Sequence, residues 1–200
     1  MRDLVRRTQP IPEVMVFDFA GGRIAAMNDL ILAEMRTVNA TADSIQGDNI
    51  LNRRATECLF DRRPLPPGLA GLVERLYAAL AVYLKRWHPA LIGQPFRHRS
   101  WCNHYKPNEG VPWHAHGETP VVAVYSVRGD GGDLVIQDET DPARCHRLET
   151  PPGRLIFMPG HLRHCSTPNF GPVATRVSLP VNFMFAEGPG PTADRPRARP

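Results

Sequence analysis

From Phe96 onward the chain is a series of short apolar runs with no helix between them. Phe96–Tyr105, Val121–Val127, Leu134–Gln137, Arg154–Phe157, Leu162–Ser166 and Thr175–Phe185 are rich in β-branched and aromatic residues. Gly129 to Gly132, the Pro151, Pro152 and Gly153 run, the Pro159 and Gly160 pair, and Pro168 to Pro172 break them. Strands this short bury their apolar faces by closing into a sandwich or barrel. The expected core is therefore a jelly-roll-like, cupin-like β-barrel.

The first half reads differently. Val14 to Phe19 alternates as a strand, and Gly21 and Gly22 punctuate it. Ile24, Met27, Leu30, Ile31, Met35 and Val38 then recur at helical spacing. Residues 40–64 read as a loop with one short strand near Cys58, Leu59 and Phe60. Pro64, Pro66 and Pro67 introduce a second helix, with the stripe Leu69, Leu72, Val73, Leu76, Leu80 and Leu84, which stops before Pro89. The fold class is mainly β with N-terminal helices (α+β), the helices packing on one sheet. One domain is expected over 1–187, with a helical and loop part at 1–94 and the β core at 95–187. Residues 188–200, rich in Pro and Arg, read as a disordered tail.

Charge and cysteine content narrow the function classes. The net charge is +4, and several arginines sit at the two ends, so the sequence points away from nucleic acid. The four cysteines form no Cys-x-x-Cys pair, no secretory leader opens the chain, and no apolar run approaches ~18 residues. The expectation is a cytoplasmic protein with free thiols and no membrane association. Cys102 and Cys165 read as small buried fillers. A homodimer is compatible with the sequence.

The chemistry concentrates in His114-x-His116, followed by His164 and by Arg176-x-Ser178. Two histidines one residue apart on a strand point to the same side. A third from a distant strand can complete one face of a metal site, and imidazole suits iron, zinc, copper or nickel. Arg176 is flanked by Val177, Leu179 and Val181, while Ser178 and Asn182 share its own face. A charged group on such a strand must be paired or face a cavity, and a guanidinium can hold a carboxylate bidentately. His104 and His161 read as bystanders. His88, His98 and His146 have no evident partner in the sequence.

These residues carry a resemblance. Trp101-x-Asn103-x-Tyr105, the Gly110 loop, His114-x-His116, Val124 and Tyr125, Gly153-x-Leu155-Ile156-Phe157-x-Pro159, His164, and Arg176-x-Ser178 with Asn182 resemble the iron(II)- and 2-oxoglutarate-dependent oxygenases over residues 96–187. That family's core is a double-stranded β-helix. The resemblance implies iron(II) on His114, His116 and His164, and 2-oxoglutarate held by Arg176 and Ser178 with Tyr105 and Asn182. It implies oxidation of a small metabolite, an amino acid or biosynthetic intermediate, by dioxygen. One departure stands out: the family has Asp or Glu where this chain has His116. Glu118 is the alternative third ligand, or a group that orients an imidazole. Two other readings follow from the departure. One is a cupin-like three-histidine dioxygenase or isomerase that does not use 2-oxoglutarate. The other is a non-catalytic metal- or ligand-binding module.

Overall fold

The computed structural model describes residues 4–8, 11–41, 58–117, 119–129, 131–169 and 176–186, with the backbone alone at 4–8 and 36–41. Glu118, Arg53 and Arg54 of the expected 40–64 loop, and the 188–200 tail lie outside these residues.

Two sheets and two helices make up the described structure. The larger sheet contains β1 (Leu4–Thr8), β2 (Met15–Phe19), β3 (Phe96–Ser100), β4 (Asn103–Tyr105), β6 (Val121–Arg128), β9 (Arg154–Met158) and β11 (Arg176–Phe185). Its order is β1-β2-β9-β6-β11-β3, with β4 also paired to β11. The smaller sheet contains β5 (Val111–His114), β7 (Asp133–Gln137), β8 (Cys145–Glu149) and β10 (His164–Ser166), in the order β5-β10-β7-β8. All strand pairings are antiparallel. Two facing antiparallel sheets with helices on the outside of one form the expected double-stranded β-helix.

The period-two rule explains how the larger sheet serves two cores. Phe17 on β2, Val121, Ala123 and Tyr125 on β6, Leu155 and Phe157 on β9, and Val177, Leu179, Val181 and Phe183 on β11 join the cluster that packs the helices. Val16, Val122, Ile156 and Met158 point the other way, toward Leu134, Ile136 and Leu148 of the smaller sheet. On β11 the inward positions are not aliphatic. They are Arg176, Ser178, Pro180 and Asn182, and all four line a cavity between the sheets.

The helices close the outer face. α1 (Gly22–Thr41) buries Ile24, Met27, Ile31 and Met35, while Leu30 is half exposed. α2 (Pro67–Trp87) buries Leu69, Leu72, Leu76, Leu80 and Leu84 at three- and four-residue spacing. Each such leucine contributes about 1.5–3 kcal/mol of burial. The first-turn amides of α2 are capped from α1: Gly68 N–H donates to Glu34 Oε1 at 2.7 Å, and Leu69 N–H to Oε2 at 3.2 Å. Gly68 is small because a Cβ there would press on the Ile31 backbone nitrogen. By length and composition α2 could cross a membrane, but its leucine stripe lies in the core.

Several local expectations change. The short strand near Cys58 is a 3-10 turn, Leu59–Asp61, because Asp61 N–H bonds back to the Cys58 carbonyl. Phe96–Tyr105 divides at Trp101 and Cys102 into β3 and β4. β8 is an edge strand burying one apolar side chain, Leu148, so no alternation marks it in the sequence. β1, with Arg6 and Arg7, is likewise a charged edge strand in a segment that looked merely polar. The run Leu162–Ser166 starts pairing only at His164.

Candidate metal and carboxylate site

Three histidines meet at one end of the cavity. His114 is the last residue of β5 and lies opposite His164 of β10, so their rings are neighbours, with centroids 4.3 Å apart. His116 is not on the strand. Gly117, at φ +57°, turns the chain just beyond it, and His116 N–H donates to the Gly160 carbonyl at 2.8 Å. This loop geometry, rather than strand alternation, brings the His116 ring to 5.1 Å from His114 and 5.2 Å from His164. One nitrogen from each ring lies within 4.8 Å of the other two.

Hydrogen bonds decide which nitrogens are free. His114 Nδ1 donates to the Pro112 carbonyl at 2.9 Å, and His164 Nδ1 to the Leu162 carbonyl at 2.8 Å. A carbonyl only accepts, so both rings carry their proton on Nδ1 and present the Nε2 lone pair. His116 Nδ1 lies 3.2 Å from the Asn182 amide nitrogen, while Asn182 Oδ1 is buried without a partner. Turning that amide end for end places Oδ1 on an Nδ1 proton and frees the third Nε2. Asn182 thus belongs to the histidine end and orients His116. Its replacement by leucine should weaken metal affinity by about 10–100-fold, while Asn182→Asp retains it. Calorimetric titration of the metal-free protein with iron(II) under argon checks this, and equal affinities for both variants would refute it.

Burial also keeps the His116 and His164 rings neutral. Burial and the His114 and His116 neighbours push His164 down to about 3, against the opposing Leu162 hydrogen bond. Burial first, then His114, push His116 down to about 4. The unfolded chain takes up these protons near pH ~6.5. The folded metal-free protein does not take them up until pH 4 to 3. The contribution of these two histidines to stability is therefore constant above about pH 6.5 and falls as pH drops from there toward 3. Urea unfolding at pH 7.5, 5.5 and 4.5 should show that decline, and a flat profile would contradict it.

The other end of the cavity is built around Arg176. It is 2% exposed, its Nη1 reaches the Thr167 carbonyl only at 3.5 Å, and its Nε has no partner. Its guanidinium lies 4.8 Å from the centroid of the Tyr105 ring, directly opposite it in the β4–β11 ladder. Burial lowers its pKa, against Tyr105 and Asp133. Asp133, however, is engaged with Arg147 at 3.3 Å. Among the described residues, no carboxylate forms an ion pair with Arg176. Beside it, Tyr105 Oη lies 3.3 Å from Ser178 Oγ and accepts from Asn103 Nδ2 at 3.1 Å. Gly129 and Gly132 leave the room: a Cβ at either would collide with the Arg176 side chain.

The cavity joining the two ends measures about 310 Å³. Arg99 and Trp101 line it along with Val122, Val124 and Leu134 of its walls. Asn103 and the two glycines were given no role from the sequence. The Asn103-x-Tyr105 alternation was the available signal for the first, and the glycines act only through a tertiary approach.

The remaining histidines find other surroundings. His161 is exposed and pairs with Glu139 at 3.0 Å, and His104 is half-buried on the opposite face from Tyr105. His146 pairs with Asp138 at 2.9 Å, His88 reaches Glu13 at 4.0 Å, and His98 lies 3.4 Å from Asp61, so all three have acidic partners distant in sequence or across a turn. Trp113 lies at the surface, with the Arg163 guanidinium 5.9 Å from its ring centroid. Cys102 is the buried filler expected, whereas Cys165 is only partly buried and lines the cavity.

No protein-family model and no curated protein sequence matches the chain. Solved structures do. A Pseudomonas putida prolyl-4-hydroxylase superposes with a TM-score of 0.56 at 18% identity, over 86% of this chain and 88% of that one. A Trichoplax adhaerens prolyl hydroxylase, solved with a hypoxia-inducible-factor peptide, gives 0.59 at 13% identity over 86% and 83%. AviO1 of Streptomyces viridochromogenes gives 0.55 at 15% identity over 86% and 89%. Two facing antiparallel sheets and these superpositions agree: the chain has a double-stranded β-helix fold, shared with these two prolyl hydroxylases and AviO1.

Proposed function

We propose that this protein is an iron(II)- and 2-oxoglutarate-dependent oxygenase that oxidises a small metabolite such as an amino acid or biosynthetic intermediate. The observation that supports it most is the pairing of two complementary half-sites across one cavity. Three imidazole lone pairs stand at one end, and at the other stands a buried guanidinium with no carboxylate partner among the described residues. The donor set suits iron(II): three neutral nitrogens leave coordination positions open. The Arg176 end suits a dicarboxylate, because an unpaired buried cation gains most from an anion that satisfies its donors. Bound there, iron(II) and 2-oxoglutarate would supply the activation of dioxygen that the side chains themselves cannot perform.

The chain's own residues have distinct tasks in this reading. Arg176 and the Ser178 and Tyr105 hydroxyls hold the distal carboxylate and thereby set where the keto acid points. Carbonyls at Pro112 and Leu162 fix two imidazole tautomers, and Asn182 the third. Val122, Val124 and Leu134 exclude water between the two ends. Arg99 and Trp101 border the space where a substrate would lie, and Trp101 is 6.2 Å from the His116 ring. At about 310 Å³ the cavity is at the small end of ligand pockets, which favours a small substrate beside the dicarboxylate.

His116 supports a second reading. A third neutral imidazole makes the metal one unit more positive than a carboxylate would. A cupin-like three-histidine enzyme that binds its substrate's own carboxylate on Arg176 fits the same residues. Anaerobic addition of iron(II) and 2-oxoglutarate separates the two. A visible charge-transfer band, followed by succinate formation on admitting air, supports the oxygenase. Stoichiometric iron binding with no band and no succinate would transfer the assignment to the second reading.

A further inference from the structure

A second group of ligand-type side chains lies away from the three histidines. Cys58 precedes the 3-10 turn Leu59–Asp61, Asp61 is its last residue, and His98 stands on β3. One ligand atom from each lies within 4.8 Å of the other two. Cys58 is three residues before Asp61, so one turn presents both toward the sheet.

The nitrogen–oxygen pair already has the spacing of a tetrahedral site. His98 Nδ1 meets the Tyr77 hydroxyl at 3.2 Å, which satisfies the outer nitrogen of the ring. Its Nε2 is buried, faces the Cys58 thiol and lies 3.4 Å from Asp61 Oδ1. In a tetrahedral zinc site with Zn–N and Zn–O bonds of ~2.0–2.1 Å, nitrogen and oxygen stand ~3.3 Å apart. The pair is already at that separation. The outer hydroxyl on the histidine is the kind of support that metal-bound imidazoles receive.

The sulfur is prepared as a ligand as well. Ser100 N–H donates to Cys58 Sγ at 3.3 Å, and Ser100 Oγ meets it at 3.1 Å. Burial would raise the thiol, but hydrogen bonds from His98, Ser100 and the Phe60 and Ser100 backbone outweigh it and hold it below its ordinary value. Asp61 is mostly exposed, so a fourth position is open to water.

We propose that Cys58, Asp61 and His98 form a binding site for one divalent cation of borderline softness, with zinc(II) the ion matching this sulfur, oxygen and nitrogen donor set. The cation would tie the Leu59–Asp61 turn to β3 and, through Tyr77, to α2. Ser100 also lines the main cavity, so this site shares a wall residue with it.

Cobalt(II) is the probe, because only thiolate ligation gives an intense near-ultraviolet charge-transfer band. Titration of the reduced, metal-free full chain should develop that band, and added zinc(II) should bleach it. The band should survive in His164→Ala, which disables the three-histidine site, and vanish in Cys58→Ser. Asp61→Asn alters an exposed side chain and should weaken cobalt binding at the banded site at least about tenfold. Zinc(II) should also slow alkylation of Cys58 in the unaltered protein, read by peptide mapping. No band, a band unchanged in Cys58→Ser, or alkylation equally fast with and without zinc(II) would overturn the proposal. The last result would leave an ion-paired thiol rather than a metal site. Failure of the oxygenase reading would leave all of these outcomes unaltered.

Discussion

His164→Ala should remove stoichiometric iron(II) binding. Losing a partner that only orients a metal ligand costs about 10–100-fold in affinity. Losing a ligand from a three-ligand face should therefore cost on the order of 100-fold or more, leaving a two-imidazole site. His164 is the sharpest of the three to test. It is 3% exposed, its proton is held by the Leu162 carbonyl, and its Nε2 has no other described role. The comparison is His161→Ala, three residues away in sequence but exposed and paired with Glu139. That variant should bind iron(II) as the unaltered chain does. Calorimetry under argon distinguishes them, and tight stoichiometric iron in His164→Ala would discard the triad.

Arg176→Met should separate affinity from stability. Methionine fills much of the same volume with a flexible apolar chain. If Arg176 grips a carboxylate, its loss should lower 2-oxoglutarate affinity on the order of 100-fold or more, as for a desolvated charge pair broken at one partner. The charge-transfer band should fade while iron(II) binding persists. The effect on the ligand-free fold should have the opposite sign. Nothing among the described residues neutralises Arg176, so removing a buried cation relieves an electrostatic penalty. The melting temperature of the ligand-free protein should hold or rise. A purely structural arginine would show the reverse: a fall in melting temperature with 2-oxoglutarate binding intact. Arg176→Lys should fall between, because an ammonium keeps the charge but loses the planar fork.

These two residues mark how far the sequence was legible. The alternation Arg176, Ser178, Pro180, Asn182 against Val177, Leu179, Val181, Phe183 is visible without coordinates, because strand side chains alternate whatever the neighbours are. It correctly separates the cavity face of β11 from the helix face. The helical stripes of α1 and α2 were equally legible, apart from Leu30, which faces solvent, and Val73, which is only partly buried; the side chain of Val38 lies outside those described. Edge strands β1 and β8 were not. On β8 only Leu148 is buried, between exposed Arg147 and Glu149, which leaves no pattern to detect, and β1 carries two adjacent arginines in a five-residue strand.

His114 and His164 could be named from spacing and resemblance, but their contact is a cross-strand register between residues fifty positions apart. His116 was expected on the strand, and it joins the triad from a turn instead. Its partner, Asn182, comes from the other sheet, sixty-six positions on. Local chemistry determined by itself the elements, the two faces of β11 and the residue types available for a metal and an anion. Those follow from periodicity and side-chain character, which act over a few residues. The tertiary structure alone decided which lone pairs converge, that Arg176 has no counter-charge among the described residues, and that Cys58 meets His98. Each of those depends on burial and on contacts made across long sequence separations, which no local pattern encodes.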